Sequence, residues 1–400
     1  AQIVYQHVQE RGQVPVHLQQ GLQSIEEAAS DPNNPKNGNS GDCRLLLRTK
    51  SCLSTVDDLQ LPCDLVLIAM GVRPENSLAV AAGLAVGKRG GIVVNDCMQT
   101  SDPDIYGCGD VVETKNAISG GRLQIPLAGP ANRQGRVVAD SIAGRQSSYR
   151  GSQGTAICQI FGLSVGLTGV SEKDLQRGLG PSCSFTAANV QVARVTAGAH
   201  VDYFPGGTVL RLKVYFDGKS GLVLGAQAVG EHGVSKRIDI ISTYIQLKGT
   251  MHDMAEAELS YAPQFGAAKD VVNMVGMIGE NATNGLVKLI EWCEAKNRAR
   301  EGKGIIVDVR QCWELEKWRV TDVEERCIWN IPIEELRNRV AELPEDKEIY
   351  CFCRVGQRGY NAARIITQVS KAPVYNISGG IDAHACCFPE ASQGCYYNLQ

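Results

Sequence analysis

The segment KEIYCFCRVGQRGYNAARI, residues 347–365, constrains this chain more than any other. An apolar run ends at Cys353. Two glycines and two arginines follow within six residues, and apolar positions then return at helical spacing. A strand passing into a helix through so short a loop is the unit of a parallel sheet. The flanking stretches agree. GIIVDVR reads as a buried strand, IPIEELRNRVAELP as a helix with a proline stop, and APVYNISGG as a strand and turn. Together they predict a small parallel α/β sheet.

The same local order assigns chemistry. A thiol at the C-terminal edge of a parallel strand, facing a helix N-terminus, lies among unpaired N–H groups and the positive end of a dipole. Arg354 and Arg358 add formal positive charge, which favours the nucleophilic thiolate. Gly356 and Gly359 allow the backbone to curl so that several amides point at one centre. Cys351 shares the Cys353 face by the period of two. It reads first as a buried core thiol, with a resolving role as the alternative.

Length and composition bound the rest. A chain of 400 residues predicts two to three domains. A net charge of −3 argues against nucleic acid, and no apolar run reaches the roughly 18 residues that span a bilayer. The 15 cysteines lack paired zinc-site spacing, so no metal is expected. They point to a reducing compartment, the cytoplasm or another. The opening AQIVYQHVQERGQ reads as an amphipathic helix and has no signal-peptide pattern. A chain that opens inside a helix leads us to expect further sequence upstream, with any targeting signal on it.

Along the chain, the first 27 residues read as helix, strand (VPVHL) and second strand. A polar, Pro/Gly/Asn-rich loop covers residues 28–43. RLLLRTK follows as a strand, and CDLVLIAMG reads as a strand buried on both faces. GIVVND is a further strand, and PLAGPANRQGRVVADSIAG is a loop leading into a helix. TVLRLKVYFDGKSGLVLGAQAVG reads as a hairpin. Helices are expected at 234–248 and 252–257, and a linker helix from about Leu286 to Arg300. In YGCGDVVE an acid follows a glycine at a strand end, so Asp110 after Gly109 can approach a ribose or ribityl hydroxyl. A turn or helix-cap role is the plainer reading of Asp110.

Two resemblances give these segments a frame. Residues 303–385 resemble the rhodanese family, in which a cysteine opens a short loop closed by arginine. The resemblance implies a persulfide-forming Cys353, a cradle from Arg354 to Gly359, and structural roles for Asp308 and Arg310. The family's Gly-His before Ile-Pro is missing, since VTDVEERCIWNIP stands there. The order LVLIAMGVRPE, YGCGDVVE, PLAGPANRQG is similar to that of the pyridine-nucleotide disulfide oxidoreductases with two dinucleotide-binding domains. This similarity implies FAD near Asp110 and Gly109. Leu127, Ala128 and Gly129 would lie by the isoalloxazine, and Ala131 and Arg133 would start the helix beneath it.

Within that family, AHVDYFPGGTVLRLKVYFD, GEHGVSKRIDIIS and ELSYAPQFGAAKDVVNMVG resemble the coenzyme A-disulfide reductase branch with a fused rhodanese domain. The resemblance places Tyr203 and Tyr261 in the partner subunit's active site of a homodimer, and Lys236 and Arg237 on the phosphates of a coenzyme A substrate. Turn packing, an interface anchor and a solvated helix face are the structural alternatives. No GxGxxG fingerprint occurs in the sequence, so this chain by itself is expected to bind FAD and NAD(P)H weakly.

The expected fold is α/β: a partial two-dinucleotide-binding-domain flavoprotein, an α+β dimerisation domain and a small parallel α/β rhodanese domain. The expected boundaries are 1–83 for the NAD(P)H-binding part, 84–148 for the FAD-binding part, 149–285 for dimerisation, 286–303 for a linker helix, 304–390 for the rhodanese-like domain and 391–400 for a tail. The implied activity is reduction of low-molecular-weight disulfides, persulfides or polysulfides, coupled to sulfur transfer at Cys353. An NADH oxidase or peroxidase of the same superfamily is one alternative. A sulfur carrier on a degenerate flavoprotein platform is the other.

Overall fold

The computed structural model describes residues 2–18, 20–27, 45–52, 57–177, 183, 185–387 and 392–393. The expected loop at 28–43 lies outside the described residues, as does most of the expected tail. The chain divides into two compact units, one of residues 5–73 and the other of residues 74–400 with the first four residues.

The smaller unit is a three-stranded antiparallel sheet of Gln20–Glu27, Leu45–Ser51 and Gln60–Cys63. The helix Gln2–Glu10 forms as expected, but VPVHL has no strand assignment. The buried strand expected at CDLVLIAMG does not form beyond Cys63. Leu65, Leu67 and Met70 are instead about four-fifths exposed, at 82%, 84% and 79%. A strand acquires two buried faces only from flanking strands and covering helices, and no described strand pairs with residues 65–72.

The larger unit opens with a small sheet, in which Val112–Lys115 pairs parallel with Ile92–Val93 and antiparallel with Arg122–Leu123. The helix Ala128–Ile142 packs on it through Val137, against Val94, Met98 and Val112. A five-stranded sheet comes next, in the order Ala156–Ile160, Leu163–Gly169, Val223–Gly230, Val209–Asp217, Val190–Gly198. The expected hairpin is the pair Val209–Asp217 and Val223–Gly230. Helices Val234–Gln246 and Val271–Thr283 cover this sheet with Val234, Ile238, Ile241, Val272 and Val275.

The C-terminal sheet is parallel throughout, in the order Lys288–Ile290, Val374–Ile377, Glu348–Phe352, Gly304–Asp308, Ile328–Asn330. Part of the expected linker helix is therefore corrected. Lys288–Ile290 supplies the edge strand of this sheet, and the helix runs only from Trp292 to Arg300. The alternation of KLI satisfied a strand as well as a helix, and the free edge beside Val374–Ile377 decided between them. Ser392–Gln393 also pairs with Arg319–Val320, so two residues of the expected tail join this domain. The apolar core is continuous: one buried cluster holds Ala193, Leu210 and Val214 of the central sheet together with Val307, Ile349 and Cys351 of the C-terminal sheet.

Arg237 does not face solvent. Its side chain is 2% exposed, and its guanidinium donates to Asp270 at 2.6 and 3.2 Å and to the Ala199 carbonyl at 2.9 Å. The expectation that Arg237 meets substrate phosphates gives way to an internal ion pair. Replacing it by alanine strands a buried carboxylate. R237A is expected to lower stability by about 3–5 kcal/mol, read as a fall in the urea midpoint at unchanged slope. A variant as stable as wild type would show Arg237 to be dispensable for folding.

Candidate functional site

The loop around Cys353 is shaped by two glycines and braced by Asn376. Glu348–Phe352 is buried from Ile349 onward, and Cys353 follows it at 1% exposure. Gly356 caps the next helix with φ 103°, a conformation that disfavours any side chain. Its amide donates to the Cys353 sulfur at 3.2 Å. At Gly359 an added Cβ would meet Asn376 Oδ1 at 2.5 Å, so only glycine lets the helix Gln357–Thr367 sit this near the strand. Asn376 Nδ2 also donates to the Gly356 carbonyl at 3.2 Å and braces the turn from behind.

The two neighbouring thiols differ in what they touch. Burial pushes the Cys351 thiol well up, with the neighbouring Cys353 sulfur adding to the effect. Cys351 lies buried in the apolar core, as the sequence favoured. Cys353 instead accepts the Gly356 amide at a helix N-terminus, with the Arg358 guanidinium near enough for the two groups to interact electrostatically. These donors place positive potential on the sulfur and on any atom added to it. The hydrogen bonds that Arg358 donates to Glu314, aided by the Cys353 sulfur, hold its guanidinium above its ordinary value. Arg354 contributes its carbonyl, which accepts from the Asp382 amide at 3.0 Å.

Glu314 is a site residue that the sequence reading missed. It accepts from Arg358 at 2.6 and 2.8 Å and also from the Gln311 amide as part of a capping box. Burial alone would raise this carboxyl, but the Arg358 hydrogen bonds and charge outweigh it and hold Glu314 below its ordinary 4.5. The box Gln-x-x-Glu was legible in QCWE, but its arginine partner 44 residues on was not. Asp308 and Arg310 form a buried pair at 2.7 Å beneath the sheet edge, in keeping with structural roles.

The other expected site residues gather in two places. Gly109, with φ 87°, is held by Gln134, whose side-chain oxygen accepts from its amide at 2.8 Å. The Asp110 carbonyl accepts from Gln124 at 2.6 Å. The Gln134 contact ties the Gly109–Asp110 turn to the helix that starts at Ala128, next to Leu127. That helix has no side-chain cap, and an added Cβ at Gly129 would meet open space. An uncapped helix start carrying Gly129 and Ala131, on the helix whose Gln134 holds the Gly109–Asp110 turn, fits one wall of an FAD site. Elsewhere, the phenols of Tyr203 and Tyr261 meet at 2.9 Å, both exposed, and the bond from Tyr261 raises Tyr203 above its ordinary value. Lys236 reaches the Ser260 carbonyl at 3.3 Å on that side of the sheet.

The Glu314–Arg358 pair generates a pH test. Because the folded carboxyl titrates below its unfolded value, the pair stabilises fully above about pH 4.5 and loses its contribution as pH falls through the lower, folded value. E314Q is expected to be less stable than wild type by about 1–3 kcal/mol at pH 7. The gap should stay constant down to pH 5 and close below that. A gap that persists unchanged at pH 2 would exclude the ion pair as its source.

Comparison with known proteins matches these regions in turn. The pattern described as pyridine nucleotide-disulphide oxidoreductase covers residues 1–135, its dimerisation domain 155–272, and the rhodanese-like domain 291–385. The chain is 32% identical over 214 residues to the coenzyme A disulfide reductase of Staphylococcus haemolyticus, which is 53% of this chain and 46% of that protein. The reduced CoADR-RHD of Bacillus anthracis superposes with a TM-score of 0.77 at 40% identity, covering 87% of this chain and 59% of that one. An NAD-dependent persulfide reductase from A. fulgidus gives 0.68 at 32% identity, covering 84% and 57%. The chain thus spans about half the length of the curated relatives it matches. Domain order, core and cysteine loop converge: the chain carries a pyridine nucleotide-disulphide oxidoreductase domain, the dimerisation domain of that family, and a rhodanese-like domain after them.

Proposed function

We propose that the whole protein reduces low-molecular-weight disulfides, persulfides or polysulfides, coenzyme A derivatives among them, and that Cys353 carries sulfane sulfur as a persulfide. One observation bears most of the weight: the Cys353 sulfur accepts the Gly356 amide at a helix N-terminus, with Arg358 in reach. The relatives' activities on coenzyme A disulfide and on persulfide support the substrate class.

The transfer step balances without an external oxidant. The Cys353 thiolate attacks the outer sulfur of a donor such as thiosulfate. The donor S–S bond breaks, and sulfite leaves with the electron pair. The added sulfur then lies in the cradle of Arg354 to Gly359, where backbone amides and Arg358 face its negative charge. A nucleophilic acceptor attacks that outer sulfur and returns the thiolate.

In the reductase half, Asp110 and the helix start at Leu127–Ala131 would hold part of FAD. When bound, FAD would pass two electrons from NAD(P)H to a disulfide. The Tyr203–Tyr261 pair would donate a proton to a leaving thiolate. A homodimer would bring that pair to the partner subunit's site. Lys236 is the remaining candidate for a coenzyme A phosphate.

Thiosulfate:cyanide sulfurtransfer is the direct test. Wild type is expected to release thiocyanate and to gain the mass of one sulfur atom on the Cys353 peptide. C353S is expected to lose both, whereas C351S keeps both. Equal rates for wild type and C353S would end the reading. For the reductase half, Y261F in the full-length homodimer is expected to lower kcat for disulfide reduction by about 10²-fold at little changed KM. An unchanged kcat would remove the phenol pair from the chemistry.

A further inference from the structure

We infer that Asp382 is a positioning residue that ties the sulfur-transfer loop to the dimerisation sheet, so that the rhodanese-like domain works as a docked module. The inference rests on the sulfur-carrier reading of Cys353.

The segment Ser378–Asp382 lies between two neighbours and bonds to both. Toward the loop, the Ile381 amide donates to the Cys353 carbonyl at 2.8 Å and the Asp382 amide to the Arg354 carbonyl at 3.0 Å. An added Cβ at Gly380 would meet the Cys353 carbonyl oxygen. Toward the dimerisation sheet, the Asp382 carboxylate accepts from Arg211 at 3.0 and 3.1 Å and from Thr196 at 2.7 Å. Ser378 donates to the Val192 carbonyl at 3.0 Å.

Arg211 and Thr196 sit on adjacent strands of the dimerisation sheet. The Asp382 and Arg211 side chains are largely buried, 11% and 18% exposed. A first-turn acid could serve only its own helix dipole. This one is instead spent in a bidentate, charge-assisted pair across a domain boundary, the geometry that fixes direction as well as distance. One residue thus joins the loop by its amide and the dimerisation sheet by its side chain. The backbone of Cys353 and Arg354 is consequently referenced to that sheet, over the continuous apolar core already described.

The test uses D382N, R211M and the double variant in the full-length protein. The readouts are the single-turnover rate of persulfide formation at saturating thiosulfate, KM for thiosulfate, and the rate of Cys353 alkylation by iodoacetamide. Both single variants should slow persulfide formation roughly tenfold, since small misplacements of a reacting group are costly. KM should change little, the alkylation rate should shift alongside, and R211K should recover part of the loss. The double variant should be no slower than either single one, because both remove the same contact. Arg211 lies outside the rhodanese-like domain, so a wild-type rate in R211M overturns the inference, as does a loss confined to D382N. If wild type forms no persulfide, the sulfur-carrier reading fails by itself. The alkylation rates then decide the docking claim: a shift in both single variants upholds it, and wild-type alkylation in R211M overturns it.

Discussion

The backbone amide of Gly356 donating to the Cys353 sulfur is the interaction on which this architecture turns. An amide can point there only if the chain leaves a buried parallel strand and enters a helix within three residues. That turn needs a left-handed residue at its end, and a second glycine, Gly359, to let the helix close on the strand. Asn376, from the adjacent strand, holds the Gly356 carbonyl and so fixes the peptide from behind. The sheet order therefore has a chemical consequence. It brings strand Val374–Ile377 beside Glu348–Phe352, and with it the brace that the cysteine loop requires.

The contrast between two cysteines on one strand face illustrates how local the effect is. Cys351 and Cys353 share a buried cluster and differ by two positions. Desolvation governs the first, leaving a thiol suited to packing. The second stands where the strand ends, and there the Gly356 amide at the helix start meets the sulfur. Glu314 completes this arrangement by holding Arg358 close enough to interact electrostatically with the sulfur. Its own carboxylate is kept ionised by that arginine. The loop is thus a chain of mutual constraints, in which a capping-box acid positions a cation and the cation faces the nucleophile.

The domains that precede it follow the same logic at larger scale. Glycine at the Gly109 turn is tied by Gln134 to the uncapped helix beginning at Ala128. The Arg237–Asp270 pair stitches the helix Val234–Gln246 to the helix Val271–Thr283 beneath the central sheet. Continuity of the apolar core from that sheet into the C-terminal one makes the rhodanese-like domain part of a larger packed body.

Periodicity and turn chemistry alone determined the parallel C-terminal sheet, the Cys353 loop and the central hairpin, whereas the strand expected to end at Gly109–Asp110 is a turn and the strand begins after it, at Val112. Each of the first three is written in residues close together in the chain, where spacing of two or 3.6 and the special backbone freedom of glycine act directly. Only the tertiary structure decided that Arg237 lies inside with Asp270, that Glu314 holds Arg358, that Asp382 reaches Arg211, and that Lys288–Ile290 joins a sheet edge in place of a helix. It also decided that Leu65, Leu67 and Met70 lie exposed, against their apolar pattern. The reason is common to all of these. A charge or an apolar strand states what kind of partner it needs, but the partner lies far away in sequence, and only folding brings it near or leaves it out.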